Sequence, residues 1–305
     1  MSNALLDVPI LDAHHHFWDL RSGPLHYPWL QDPVPHDFFL GDYTGLKRNY
    51  LPADYRKDSE GFNVVGTVHV EAECDRSQQV AETRWLTELS ASQGLPSAIV
   101  AHAWFDTENS AQVLEQQAEF PLVRGIRSKP VTAATPEQMR QGVPGSMQDP
   151  KWLEGFQRLR KHGFSWDLRV PTWHLEEAAQ VVATAPDIPV VLNHTGFPWD
   201  RSPAGLAMWR RGMQALAAHP QVYCKLSCLC LPDGLWRVEE NGPLVRETID
   251  LFGIERCMFA SNFPVDGLRI SWRGMFEAFA QMTGDLSRSE RLALFHDNAV
   301  RFYRL

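Results

Sequence analysis

The sequence predicts a single-domain (β/α)8 barrel with a long lid-like insertion after its first strand. Three observations lead there. Eight short segments rich in β-branched and aromatic residues recur along the 305 residues, separated by longer stretches of helical character. Strands alternating with helices build right-handed βαβ units and a parallel sheet, and eight units in this length is the count of a closed barrel. An open doubly wound sheet also alternates, but it carries a Gly-rich phosphate turn after its first strand, and none follows here.

The strand segments open with VPILDAH (8–14), NVVGTVHVE (63–71), SAIVAHAWF (97–105) and LVRGIRS (122–128). GFSWDLRV (163–170), IPVVLNH (188–194), QVYCKLS (221–227) and RCMFASN (256–262) complete the set. Between them, SQQVAETRWLTELSAS (77–92) places Val80, Thr83, Leu86 and Leu89 at helical spacing, with Gly94 to end the helix. EEAAQVVATA (176–185) and LAMWRRGMQALAAH (206–219) read the same way. The last helix, 287–305, begins at a capping-box pair, Ser287 and Glu290. No linker divides the chain, so 1–305 is one domain. The insertion, about 17–62, contains HYPWLQDPVPHDFFLGDY, and loops of that length in compact domains serve as lids or binding loops. An irregular segment at 130–150 follows strand four at the same end of the barrel.

Composition narrows the function. Hydrophobic residues make up 44% and charged residues 22%, the balance of a globular protein. A net charge of −8 with no Lys/Arg run argues against a nucleic-acid groove. No stretch reaches the roughly 20 apolar residues of a membrane helix, and MSNALLDVP lacks the regions of a signal peptide. A cytoplasmic protein acting on a small molecule is the simplest expectation, with a homo-oligomer compatible. Of the five cysteines, Cys224, Cys228 and Cys230 fall on one face of a strand and read as small buried hydrophobes; no disulfide framework is implied.

In a barrel, polar residues at the C-terminal ends of strands carry the chemistry. Here nearly every strand ends in one, which core packing does not require. Strand one offers Asp12, His14 and His16 on one face, with His15 opposite. Strand two offers His69, Glu71 and Glu73, strand three His102 and Trp104, and strand five Asp167 and Arg169. His194 ends strand six, Lys225 and Ser227 lie on strand seven, and Asn262 ends strand eight, with Asp266 beyond. Histidines at i and i+2 on a strand can aim at one point, as metal ligands or as a proton relay. Arg124 and Arg127 have opposite parity, so at most one faces the lumen, where it can pair a substrate carboxylate. Lys225 either points into the mouth or snorkels. His69 and His102 read equally as core histidines, and Trp18, Tyr27 and Trp29 as lid aromatics or as lid packing.

DAHHHFWDL, VVLNHTGFP, VYCKLSCL, FASNFPVD and NAVRFYRL occur in this order over essentially the whole chain. Together they resemble the amidohydrolase-related (amidohydrolase 2) branch of the amidohydrolase superfamily, in the group containing 2-pyrone-4,6-dicarboxylate lactonase and L-fuconolactonase. The resemblance implies a distorted TIM barrel that hydrolyses a lactone or related ester. It places the H-x-H pair on His14 and His16, the strand-six histidine on His194, and a pocket residue on His174. Relatives work with or without a divalent ion, so zinc on His14, His16 and His194 is one implied arrangement. The family's strand-eight aspartate, which activates water, is replaced by Asn262. An amide orients water but does not deprotonate it, and the loss of negative charge disfavours Zn²⁺.

The leading expectation is therefore a hydrolase opening a small anionic or hydroxylated lactone. His14, His16 and His194 polarise the carbonyl, and Asn262 places water. Asp266, Glu71, Glu73 or a histidine acts as base. Arg127, Lys225, His174, Glu71 and Trp18 are candidate substrate contacts. Two alternatives stand beside it: a metal-dependent decarboxylase of aromatic or unsaturated acids, whose C–C cleavage suits an asparagine at strand eight, and a non-catalytic binding barrel.

Overall fold

The computed structural model describes residues 7–33 and 38–305; the first six residues and 34–37 of the insertion lie outside the described part. Its eight strands are β1 Ile10–His15, β2 Val64–Val70, β3 Ala98–His102, β4 Val123–Arg127, β5 Ser165–Leu168, β6 Val190–Leu192, β7 Val222–Leu226 and β8 Cys257–Phe259. They run parallel in sequential order, each within a segment that the sequence marks as a strand except β1, which extends one residue past 8–14. Helices intervene, so the chain is a single-domain (β/α)8 barrel. Apart from the start of β2, where Val65 is exposed, the strands are buried on both faces, which is why the sequence shows near-continuous apolar runs.

The seam between β8 and β1 is closed beyond the end of β8. Asn262 N donates to His14 O at 2.8 Å, His16 N to Phe263 O at 2.8 Å, and Ser261 N to the Asp12 carboxylate at 2.8 Å. Inside, Leu11, Val68, Val100, Val191 and Met258 form an apolar floor. Phe302 and Tyr303, from the C-terminal helix Asn298–Tyr303, plug it.

Helix Gln79–Gln93 ends on Gly94 at φ +75°, a left-handed cap that suits glycine. Helices Leu175–Ala183 and Pro203–Ala217 match their segments. The expected last helix starts at the Ser287–Glu290 capping box but is interrupted by a π-helical turn, Ala293–Asp297. Four described helices of eight residues or more escape the sequence pattern: Ser110–Ala118, Pro150–Gln157, Val238–Phe252 and Trp272–Met282. Pro243 inside Val238–Phe252 hides one of them, because an internal proline normally argues against a helix.

Two expectations about strand faces are corrected. Asp12 does not share the lumen face of His14. Leu11 and Ala13 belong to the lumen cluster, while Asp12 accepts from Tyr55 Oη (2.8 Å) of helix Pro52–Asp58 and from Ser261 Oγ (2.6 Å). The β1–β2 register shifts between Asp12 and His15, and that irregularity breaks the alternation. The three cysteines do not form one strand face either: β7 ends at Leu226, and Cys228 adopts φ +51°. All five cysteines are free and buried.

Helix Gln79–Gln93 carries one buried acid, Glu82, which accepts from Ala72 N at 3.0 Å. Burial, reinforced by nearby Glu71, pushes its pKa up from 4.5 to about 8. The unfolded chain releases this proton near pH 4.5 and the folded chain near 8, so its stabilising contribution fades across that window as pH rises. Glu82→Gln should therefore flatten thermal stability against pH between those values and exceed wild type by about 5 °C above pH 8, as calorimetry would show.

Candidate active site

A cavity of about 280 Å³ opens at the C-terminal end of the barrel, at the small end of the roughly 300–1,000 Å³ of ligand sites. Its polar lining comes from His16, His194, Asn262, Arg127, Arg169 and Glu73. Its aromatic lining is Phe197 beside β6 and Trp29, Phe38 and Phe39 of the insertion. The insertion is anchored by a bridge between Trp18 and Tyr50 and by Arg269, which donates to Leu40 O at 2.6 Å.

The rim is conformationally strained. Glu73, His194, Thr195, Phe197, Cys228 and Asn262 all have φ between +51° and +60°. Each such non-glycine residue costs on the order of 1–3 kcal/mol and persists only where surroundings over-determine it, typically at functional sites. Four of these residues line the cavity: Glu73, His194, Phe197 and Asn262.

The three histidines converge. His14 and His16 approach through their Nε2 atoms at 3.3 Å, and the ring centres of His14 and His194 lie 4.5 Å apart. His16 Nδ1 lies 2.7 Å from Val70 O; a carbonyl only accepts, so Nδ1 carries the hydrogen. His194 Nδ1 bonds Ser227 Oγ at 3.0 Å, and its Nε2 has no hydrogen-bond partner among the described residues. Burial, then Arg127, presses the His16 pKa down to about 3. Burial also holds His14 well below the histidine range, helped by Lys225, and His194 likewise, helped by Arg169. All three rings are neutral at pH 7.

Arg127 reaches in from β4. Its Nε donates to Glu71 Oε1 and its Nη2 to Glu71 O, each at 2.6 Å, with both side chains buried. Burial acts to raise the Glu71 pKa, but Arg127, His102 and Lys129 outweigh it and hold the carboxyl well below its usual range. Glu71 is thus the counter-ion of Arg127. Arg169 is different. Its guanidinium lies 5.2 Å from the Phe197 ring and has no hydrogen-bond acceptor among the described residues; Glu73, paired with Lys129, acts on it only through space.

Several predicted residues stand behind the cavity wall. Lys225, expected to touch substrate, is fully buried and bound to Asp167. His174 accepts from Ala133 N (3.0 Å) and pairs with Glu177, outside the cavity. Trp18 is buried, donates to Arg48 O and stacks over His16. Asp266 accepts from Asn262 Nδ2 at 2.8 Å and Cys228 N at 3.0 Å, and burial lifts its pKa to about 7. It acts on the site only through Asn262. His15 bonds Thr67 at 2.9 Å as a core histidine, and Arg124 points outward to backbone carbonyls. Arg169 was the residue to single out: it follows Asp167 by two, at the end of β5, and shares its face.

A divalent ion fits this donor set poorly. The 3.3 Å between the two Nε2 atoms suits a pair of ligands at about 2.0–2.1 Å from one metal. Such ligation needs both Nε2 lone pairs, hence a hydrogen and an acceptor at each Nδ1. His16 meets that requirement. His14 does not: its Nδ1 faces the Lys225 ammonium at 3.4 Å, a group with no lone pair to offer. Asn262 adds no charge. Among the described residues, no three His, Cys, Asp or Glu side chains group so as to hold an ion.

A family model described as Amidohydrolase (Amidohydro_2) matches residues 11–305. The uncharacterized protein y4mH of Sinorhizobium fredii is 38% identical, over 98% of this chain and 99% of its own. An L-fucono-1,5-lactonase of Burkholderia multivorans is 29% identical, over 97% and 96%. Crystal structures of a B. multivorans amidohydrolase with bound HEPES and with bound zinc superpose at TM-scores of 0.79 and 0.78. Each is 26% identical and covers 98% of this chain and 100% of that one. No described helix is long and apolar enough to cross a membrane.

Proposed function

Since the chain belongs to the amidohydrolase family, with a hydrolase's barrel, we propose that it opens a small lactone carrying a carboxylate. One observation carries the reading: His194 Nε2, an imidazole nitrogen with no hydrogen-bond partner among the described residues, shares the cavity with the Arg169 guanidinium, which has no acceptor among them. The L-fucono-1,5-lactonases among the relatives support the ester chemistry.

In this reading Arg169 pairs the substrate carboxylate in the bidentate geometry that guanidinium favours. Asn262, its amide held by Asp266, orients a water, and His194 Nε2 takes the proton as that water attacks the ring carbonyl. Arg127 uses Nε and Nη2 on Glu71, which leaves Nη1 to meet the developing oxyanion. Trp29, Phe38, Phe39 and Phe197 exclude bulk water and strengthen each of these interactions.

The test is a panel of lactones offered with and without a carboxylate, followed by proton release and by carbon dioxide detection. Ring opening of the carboxylated members is expected. Arg169→Gln should raise KM for them by about 10–100-fold, the range of a charged hydrogen bond, and leave neutral lactones nearly unaffected. Carbon dioxide release without ring opening, or no turnover at all, would overturn the proposal.

A further inference from the structure

Beneath the cavity, side chains that no substrate reaches run in line from the barrel plug to the histidines. Tyr303 Oη donates to both Asp167 oxygens, at 3.3 and 3.2 Å. Asn193 Nδ2 and Lys225 Nζ donate to Asp167 Oδ1 at 3.0 and 2.5 Å. Lys225 Nζ then reaches His14 Nδ1 at 3.4 Å, and His14 Nε2 meets His16 Nε2 at 3.3 Å. Asp167 and Lys225 are wholly buried. A buried charge pair contributes little net stability over well-packed apolar residues, so its presence above an apolar floor asks for another role.

Every bond in this line has one allowed direction. The ammonium only donates, so His14 Nδ1 is bare and its hydrogen sits on Nε2. His16 carries its hydrogen on Nδ1, facing Val70 O, so its Nε2 is the acceptor for His14.

We propose that Lys225, clamped by Asp167, is a positioning residue that fixes His14 in the Nε2–H form, engages the lone pair of His16 through it, and so keeps divalent ions off the histidine pair. Of the three rings, only His194 then has an open nitrogen. The catalytic meaning of that last step rests on the hydrolase reading above; the tautomer and the metal exclusion do not. Lys225 does from below what a metal ion would otherwise do from above: it holds two imidazoles in one arrangement.

Two measurements test this, and neither uses turnover, so a failed lactone panel leaves them standing. Long-range ¹H–¹⁵N spectra of the wild-type protein, with His14 identified by its loss in His14→Gln, should show Nδ1 bare and Nε2 protonated. A protonated Nδ1 on His14 overturns the proposal. Co²⁺ is the second probe, read through its visible absorption. Lys225→Met combined with Asp167→Asn removes both charges together, so neither stays buried alone. This variant should bind Co²⁺ about 10–100-fold more tightly than wild type, the scale of a changed partner behind a ligand. Equal affinity in the two proteins overturns the proposal, and if the variant fails to fold, the wild-type spectrum decides.

Discussion

His194→Asn is expected to lower kcat on any substrate this site accepts by about 10²–10⁴-fold, the usual contribution of a positioned general base. Asparagine is the informative replacement. His194 sits at φ +60°, a conformation that asparagine tolerates better than most residues, so the backbone of the rim survives the change. The amide still bonds Ser227 but accepts no proton. Of the three converging imidazoles, His14 and His16 have both nitrogens engaged, so neither can take over the role. Steady-state kinetics beside a melting curve would check it: lost turnover with an unchanged Tm supports the assignment, and wild-type rates refute it.

Arg127→Ala removes the oxyanion contact proposed above, and its larger expected effect is on stability. Truncation leaves the Glu71 carboxylate fully buried without the guanidinium that donates to its Oε1 and to its backbone carbonyl, and breaking one side of a buried pair costs about 3–5 kcal/mol. His102, 3.4 Å from Glu71, is itself kept neutral chiefly by burial and replaces little of the lost charge. The cost belongs to the stranded carboxylate, so adding Glu71→Gln should recover a large part of it. Urea unfolding of the single and double variants measures this directly. Additive losses would show that the two residues do not act as a unit.

The barrel was legible because its strands are buried on both faces and advertise themselves as apolar runs. The seam was not: Ser261 and Asn262 fall inside the eighth predicted segment, but nothing in it marks them, past the end of β8, as the residues that join β1. Side-chain parity placed His14 and His16 correctly and failed for Asp12, where the register slips, and for Cys228, where φ turns positive. Within the site, strand-end position picked out His16, His194, Asn262 and Arg127, all of which line the cavity. It could not rank depth. Lys225, Asp266, His174 and Trp18 are polar or aromatic residues near the mouth, but each spends its hydrogen bonds on protein partners one layer back. Arg169 was named at the end of strand five but not carried into the candidate contacts, for the converse reason: what sets it apart is that it has no acceptor among the described residues, and only coordinates reveal that.

The cylinder's last join is stitched by the same backbone atoms that hold the chemistry in place: Asn262 N on His14 O, and His16 N on Phe263 O. Unzipping that join and dismantling the pocket are consequently a single event. A molecule breathing open along this line has no half-competent form, and any ligand that spans the first and last staves from the pocket side would act as a rivet on the whole shell.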